Sequence, residues 1–236
     1  MPMQYEAILF DVGDTLIEYE PDLGSYYLQR LRKICPQLLE DSLRTELFAA
    51  VKNAEYAQLM KEYLGAPRMP DDDFMTMMDR AAVEVIFPGE ADGWLPKLQE
   101  TPAPRMKKMV KAEIRGVLRQ LSARVRLGVV SNYTSDLLKY LQEMQLAEFF
   151  ETIVISETVG VEKPDPHIME IALNDMGLSP EKCLYVGDHP FDVLCARRAG
   201  MDCAWLAPPQ ANLPDGIGCE ETMRIGSLTE LLALVG

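Results

Sequence analysis

Histidine is nearly absent from this chain of 236 residues, which carries only His167 and His189. Its five cysteines, Cys35, Cys183, Cys195, Cys203 and Cys219, are odd in number and include no Cys-x-x-Cys pair. A histidine-built metal centre, a zinc site and a disulfide framework are therefore not expected, and reduced, mostly buried thiols are. No apolar run approaches the ~20 residues a membrane-spanning helix requires. Basic residues are scarce too: 23 Lys and Arg stand against 37 Asp and Glu, a net charge of −14, so no cationic surplus exists to neutralise a nucleic-acid backbone. The N-terminus shows no basic segment followed by an apolar run, which gives no support to a cleaved secretion signal. What remains is an ordinary globular composition, 48% apolar and 25% charged, and the expectation of a cytoplasmic enzyme with neither a membrane nor a nucleic acid as partner.

Short apolar runs suited to buried parallel strands occur at 6–11, 125–131, 152–156, 183–187 and 202–206. Helical periodicity fills the gaps. Leu137, Leu138, Leu141 and Met144 share a face, as do Ile168, Ile171, Ala172 and Met176, and Val193, Ala196 and Ala199 do so before Gly200. Strands alternating with helices after residue 124 predict a doubly wound parallel α/β sheet. Residues 17–104 read differently, with helical patterns at 26–34, 38–64 and 74–86, an acidic start at Asp71, Asp72 and Asp73, and no strand-like run. Four prolines and two glycines at 88–104 predict a loop around Trp94, and 105–122 a helix returning to the sheet. The expected division is a core of 1–16 and 105–236 with a small all-helical insertion at 17–104.

Four segments carry candidate chemistry. Ala7-Ile8-Leu9-Phe10-Asp11-Val12-Gly13-Asp14-Thr15 delivers a carboxylate from a buried strand into a turn; Gly128-Val129-Val130-Ser131-Asn132 ends a strand on a hydroxyl; Gly160-Val161-Glu162-Lys163-Pro164-Asp165-Pro166 offers a lysine; and Val186-Gly187-Asp188-His189-Pro190-Phe191-Asp192 offers two carboxylates. In open parallel sheets ligands bind beyond the carboxyl ends of the strands. Residues remote in sequence thus converge on one edge. In this order and strand context, the four segments resemble the motifs of the haloacid dehalogenase superfamily of hydrolases, along the whole chain, with 17–104 where that family inserts a helical cap over a Rossmann-like core.

The resemblance implies a Mg²⁺-dependent hydrolase of a small phosphorylated metabolite. Asp11 matches the nucleophile, which forms an aspartyl-phosphate that water hydrolyses. Asp188, Asp11 and the Gly13 carbonyl would hold Mg²⁺ through oxygen ligands, with Asp192 an outer or alternative ligand. Ser131 and the Asn132 amide would bind the transferring phosphoryl group, and Lys163 would offset its charge and keep Asp11 ionised.

One position departs from the pattern. Phosphatases of this family place an Asp two residues after the nucleophile, where it protonates the leaving oxygen and activates water; here Gly13 stands there and Asp14 follows. Such a group contributes about 10²–10⁴-fold, so substrates with good leaving groups are spared and alkyl phosphates slowed. Asp14 is either a substitute or a turn former. Three other readings stay open: a metal-free dehalogenase-like activity, against which the two carboxylates of the fourth motif argue; a phosphonatase-like activity using a Schiff-base lysine such as Lys52 or Lys61; and a phosphate-binding pseudo-enzyme with a sensing or interaction role. Glu18, Tyr19, Met75, Met77 and Met78 are candidates to line a specificity cleft, with core packing an equal account of the methionines. His189 either touches a ligand or shapes its turn.

Overall fold

The computed structural model describes residues 5–37, 41–110, 112–207, 213 and 223–235. In chain order the elements are β1 (Ala7–Phe10), β2 (Glu18–Glu20), α1 (Leu23–Ile34), α2 (Leu43–Tyr63), α3 (Asp71–Ile86), α4 (Ala91–Gln99), β3 (Lys107–Met109), α5 (Ala112–Ser122), β4 (Arg126–Ser131), α6 (Leu137–Glu143), β5 (Thr152–Ile155), α7 (Ser156–Val159), α8 (His167–Met176), β6 (Cys183–Gly187), α9 (Pro190–Arg198), β7 (Asp202–Leu206) and β8 (Met223–Ile225). The chain divides into two compact units, Met1–Glu18 with Met109–Gly236, and Tyr19–Lys108.

The first unit is built on one six-stranded sheet in the order β5-β4-β1-β6-β7-β8, every pairing parallel. The chain winds outward from β1 through β4 to β5, then crosses to lay down β6, β7 and β8 on the other side. A crevice at the carboxyl ends near β1 is the geometric consequence. The central strands are largely apolar, as strands buried on both faces are: Ile8, Phe10, Val129, Leu184 and Val186 are fully buried, packed with Leu118, Leu121 and Leu141 from α5 and α6. Gly128 in β4 is required by this packing, since a Cβ there would lie 2.6 Å from Leu9 Cδ2.

The second unit is helical. Asp22 caps α1, its Oδ1 accepting from the Ser25 N–H at 2.9 Å, and the three aspartates open α3 as expected. Tyr27, Leu31, Leu47, Val51, Ala82 and Leu98 form its core. Met78 is buried in that core and Met77 packs against it, whereas Met75 is exposed. Packing therefore accounts for two of the three methionines.

Three expectations are corrected. Residues 88–104 are not all loop: α4 runs through Pro96 because Ala91, Leu95 and Leu98 make a buried stripe at helical spacing, while Trp94 stacks on Phe87 at 3.9 Å. Burial outweighs one lost main-chain hydrogen bond in so short a helix. Residues 105–122 are not one helix, since β3 precedes α5, and 17–104 is not strand-free, since it begins in β2. The two short strands pair with each other, Glu-Tyr-Glu against Lys-Lys-Met, where opposite charges favour the ladder. The expected start of α2 at Leu38 and the thiol of Cys219 fall outside the described residues. The four described cysteines are buried and free, and burial raises the Cys183 thiol to about 11 and the Cys195 thiol to about 12.

A buried ion pair fastens the helical unit. The Arg30 guanidinium donates to both Asp79 oxygens, at 2.6 and 3.1 Å, to the Leu98 carbonyl at 3.1 Å and to Thr101 at 3.2 Å. It thereby joins α1, α3 and the end of α4. Asp79→Ala would strand that charge, so stability should fall by about 3–5 kcal/mol, read as a lower urea midpoint. Glu151→Ala, which breaks the exposed pair with Arg126, should cost at most about 1 kcal/mol.

Candidate active site

Asp11 leaves β1 with its main-chain N–H donating to the Val186 carbonyl at 2.8 Å, which fixes the turn against β6. Its carboxylate is buried, and one oxygen, Oδ1, receives both the Ser131 hydroxyl at 3.0 Å and the Lys163 ammonium at 2.6 Å. Oδ2 is thus the oxygen left for a ligand. Ser131 is the last residue of β4, so the register of β4 on β1 sets the first contact. Lys163 arrives from the loop after α7, and Asn132 holds that loop in place. The Asn132 side chain donates to the Lys163 carbonyl at 2.9 Å and accepts from the Lys163 main-chain N–H at 2.8 Å.

All three protons of the Lys163 ammonium are used: besides Asp11 it donates to Asp192 Oδ1 at 2.6 Å and to the Tyr185 hydroxyl at 3.0 Å. Burial works against the charge, but the two carboxylates outweigh it and hold the ammonium above its ordinary pKa. Tyr185 in turn donates to the Val130 carbonyl at 2.7 Å. Burial, with the carboxylates nearby, pushes the phenol up, so it stays protonated as that bond needs. Asp192 is fully buried. Its Oδ2 accepts the His189 N–H at 2.9 Å while His189 Nδ1 accepts the Phe191 N–H at 3.0 Å, a reciprocal cap on α9. That cap gives His189 the turn-shaping role. Gly187 makes room for it: a Cβ there would sit 2.2 Å from Asp192 Oδ2.

Asp188 follows β6, half-buried. Its Oδ1 accepts from the Thr15 hydroxyl at 3.1 Å and its main-chain carbonyl from the Trp205 indole at 2.7 Å. Asp11, Asp188 and Asp192 each offer an oxygen within 4.8 Å of the others. The three carboxylates and the one ammonium carry a formal charge of −2 between them, and burial, aided by the Asp192 charge, pushes the Asp11 carboxyl up, while Lys163 and Ser131 oppose the rise. Such an all-oxygen, doubly negative cluster suits a hard divalent cation. Within it Asp192 has both oxygens engaged, by Lys163 and by the His189 amide. Asp11 Oδ2 and Asp188 are the more available donors.

The structure thus gathers Asp11, Ser131, Asn132, Lys163, Asp188 and Asp192 at one edge. Gly13 is half-buried in the turn after Asp11; its backbone lies outside the left-handed region, and a Cβ there would meet no atom within 4 Å. Asp14 has a left-handed backbone, φ 54°, a conformation Asp tolerates in turns. It sits as a turn former. Glu18 and Tyr19 lie in or beside β2, and Lys52 and Lys61 on α2, where Lys52 pairs with Glu55 at 3.3 Å and Lys61 is exposed. Thr15, Tyr185 and Trp205 are site residues that periodicity hides, because each lies in or against a segment that reads as plain core.

A model of the haloacid dehalogenase-like hydrolase family matches residues 8–206. The chain is 28% identical to the pyrimidine 5'-nucleotidase YjjG of Escherichia coli, over 99% of each chain, and 30% identical to the glyceraldehyde 3-phosphate phosphatase of Methanopyrus kandleri, over 83% of this chain and 81% of that protein. Among solved structures it is similar to the HAD-hydrolase YfnB of Bacillus subtilis, with a TM-score of 0.65 at 22% identity over 99% of both chains. A family match that begins within β1 and runs to the last residue of β7 takes in every residue of the carboxylate edge, and the chain belongs to the haloacid dehalogenase-like hydrolases.

Proposed function

We propose that this hydrolase is a Mg²⁺-dependent phosphatase of a small phosphorylated metabolite, working through an aspartyl-phosphate on Asp11. The observation that carries the reading is the fixation of one Asp11 oxygen by Ser131 and Lys163, at an edge where Asp11, Asp188 and Asp192 each offer an oxygen within 4.8 Å of the others. A carboxylate so held attacks phosphorus along a set direction, and water then cleaves the acyl phosphate. Lys163 and Ser131 hold Asp11 Oδ1 in place before the reaction begins, so the carboxylate needs no reorientation at the moment of attack. The bound dication would supply charge neutralisation between Asp11 and Asp188 and orient the phosphoryl group. Asp192 acts in this scheme through Lys163, by holding it. The nucleotidase and phosphatase relatives support phosphate esters as the substrate class.

Gly13 defines the selectivity of the proposed enzyme. With no carboxyl at that position to protonate a leaving alkoxide, aryl, acyl or anhydride phosphates, whose leaving groups depart as stable anions, are the favoured substrates. The rival reading, a phosphate-binding protein without turnover, rests on the same glycine. A phosphonatase-like scheme through Lys52 loses support because that lysine is paired with Glu55. The grouping of three carboxylates argues likewise against a metal-free dehalogenase.

Three outcomes test the proposal. With p-nitrophenyl phosphate as substrate, the parent protein should turn over in Mg²⁺ and stop in EDTA, and Asp11→Asn should lose about 10³-fold or more in kcat; metal-independent turnover, or an active Asp11→Asn, ends the phosphatase reading. Gly13→Asp fits the open space in an unstrained backbone, so it should raise kcat on alkyl phosphates by about 10²-fold or more while changing the aryl ester little; no gain would deny the missing acid its importance. Asp188→Asn removes one repelling charge, so in EDTA it should be more stable than the parent by about 1 kcal/mol, while losing the stabilisation that Mg²⁺ gives the parent. Urea unfolding with and without the metal reads both effects.

A further inference from the structure

Asp188 is tied at two points, by its carboxylate to Thr15 and by its main-chain carbonyl to the Trp205 indole. The second tie comes from a different strand. Trp205 lies opposite Gly187 in the pairing of β6 with β7, so its side chain stands beside the place where the chain leaves the sheet to present Asp188. The ring is 1% exposed, and the Arg224 guanidinium of β8 lies 4.8 Å from its centroid. An indole N–H can only donate, and buried it needs an acceptor. At 2.7 Å the Asp188 carbonyl is that acceptor, and turning the peptide away would strand both groups.

We propose that Trp205 is a positioning residue for cation binding: its indole N–H locks the Asp188 peptide, and with it the direction in which the carboxylate faces Asp11. The inference rests on the reading of Asp11 and Asp188 as ligands of a divalent cation. Mg²⁺ tolerates little departure from octahedral geometry, so a carboxylate free to tilt on its own backbone binds it less well. Groups that orient metal ligands commonly matter by 10–100-fold in affinity. Sheet-buried Trp205 thereby links β7 and β8 to the backbone of a carboxylate at the site.

Calorimetric titration with Mg²⁺ alone, without substrate, compares the parent with Trp205→Phe, which keeps an aromatic ring and removes the donor. The expected result is an increase in Kd of about 10-fold, with the Mg²⁺ concentration for half-maximal activity rising by the same factor. Trp94 and Trp205 are the two tryptophans of the chain, so Trp94→Phe, excited at the red edge where tyrosine does not absorb, leaves the indole at Asp188 as the single emitter. Its emission should change on adding Mg²⁺ and return with EDTA. A folded Trp205→Phe with the parent's Kd overturns the inference, even if its urea midpoint falls. Should that variant not fold, a Trp94→Phe protein that binds Mg²⁺ by calorimetry without a change in emission overturns it equally. A parent protein that takes up no Mg²⁺ sinks the cation-dependent reading itself, an outcome distinct from both.

Discussion

The ammonium of Lys163, enclosed between Asp11 and Asp192, is the interaction on which the carboxyl edge of the sheet depends. Buried charges are costly unless every donor and acceptor is matched, and here the matching is complete: three protons, three acceptors, at 2.6, 2.6 and 3.0 Å. Much of the surrounding sequence is explained by that demand. Asn132 clamps the Lys163 backbone, Tyr185 supplies the third acceptor and donates its own hydrogen bond to the Val130 carbonyl, and Gly187 vacates the volume that Asp192 needs. Three chain segments, the end of β1, β6 and α9, are pinned to one nitrogen. A scaffold of parallel strands whose ends align makes this possible, because each strand end is fixed to its neighbour before any side chain is placed.

The parts of this arrangement that end strands are legible in the sequence. Asp11, Ser131 and Asp188 each interrupt an apolar run at its carboxyl end, and Lys163 sits in a Pro-bounded loop, so order and spacing suffice to nominate them. Tyr185 and Trp205 lie within apolar runs, where an aromatic ring reads as core; only the three-dimensional partner of the hydroxyl or indole N–H reveals a second role. Helix α4 was hidden for the opposite reason, since Gly93 and Pro96 punctuate the sequence more loudly than the stripe of Ala91, Leu95 and Leu98. Strands of three residues, such as β2 and β3, hold too few positions for alternation to show. Their pairing is set by complementary charge and by where the chain enters and leaves the helical unit, neither of which is a local property.

Gly13 separates two questions that a family match tends to merge. Membership depends on the sheet, the strand-end carboxylate and the lysine, all of which survive without a side chain at position 13. Catalytic range depends on proton transfer, which does not. The open space around that position and its ordinary backbone show that nothing in the fold requires glycine there, in contrast to Gly187, where a single methyl would collide with Asp192. A glycine retained without steric need is a statement about chemistry or about history, and not about folding.

The edge therefore has two halves with different physical characters. Lys163, Asp192, Tyr185, Ser131 and Asn132 satisfy one another and are complete without any ligand, so their geometry is set during folding and costs nothing to assemble at the moment of reaction. Asp188 and Asp11 belong to a group of carboxylates whose oxygens lie within 4.8 Å of one another, like charge beside like charge. Repulsion of that kind is tolerable only if the groups are held, and they are: Asp11 by the complete half, Asp188 by Thr15 and Trp205. On the proposed reading, that rigid support on both sides is what would convert folding energy into affinity for a cation. The incoming dication and phosphoryl group would then meet a nucleophile whose direction is already fixed.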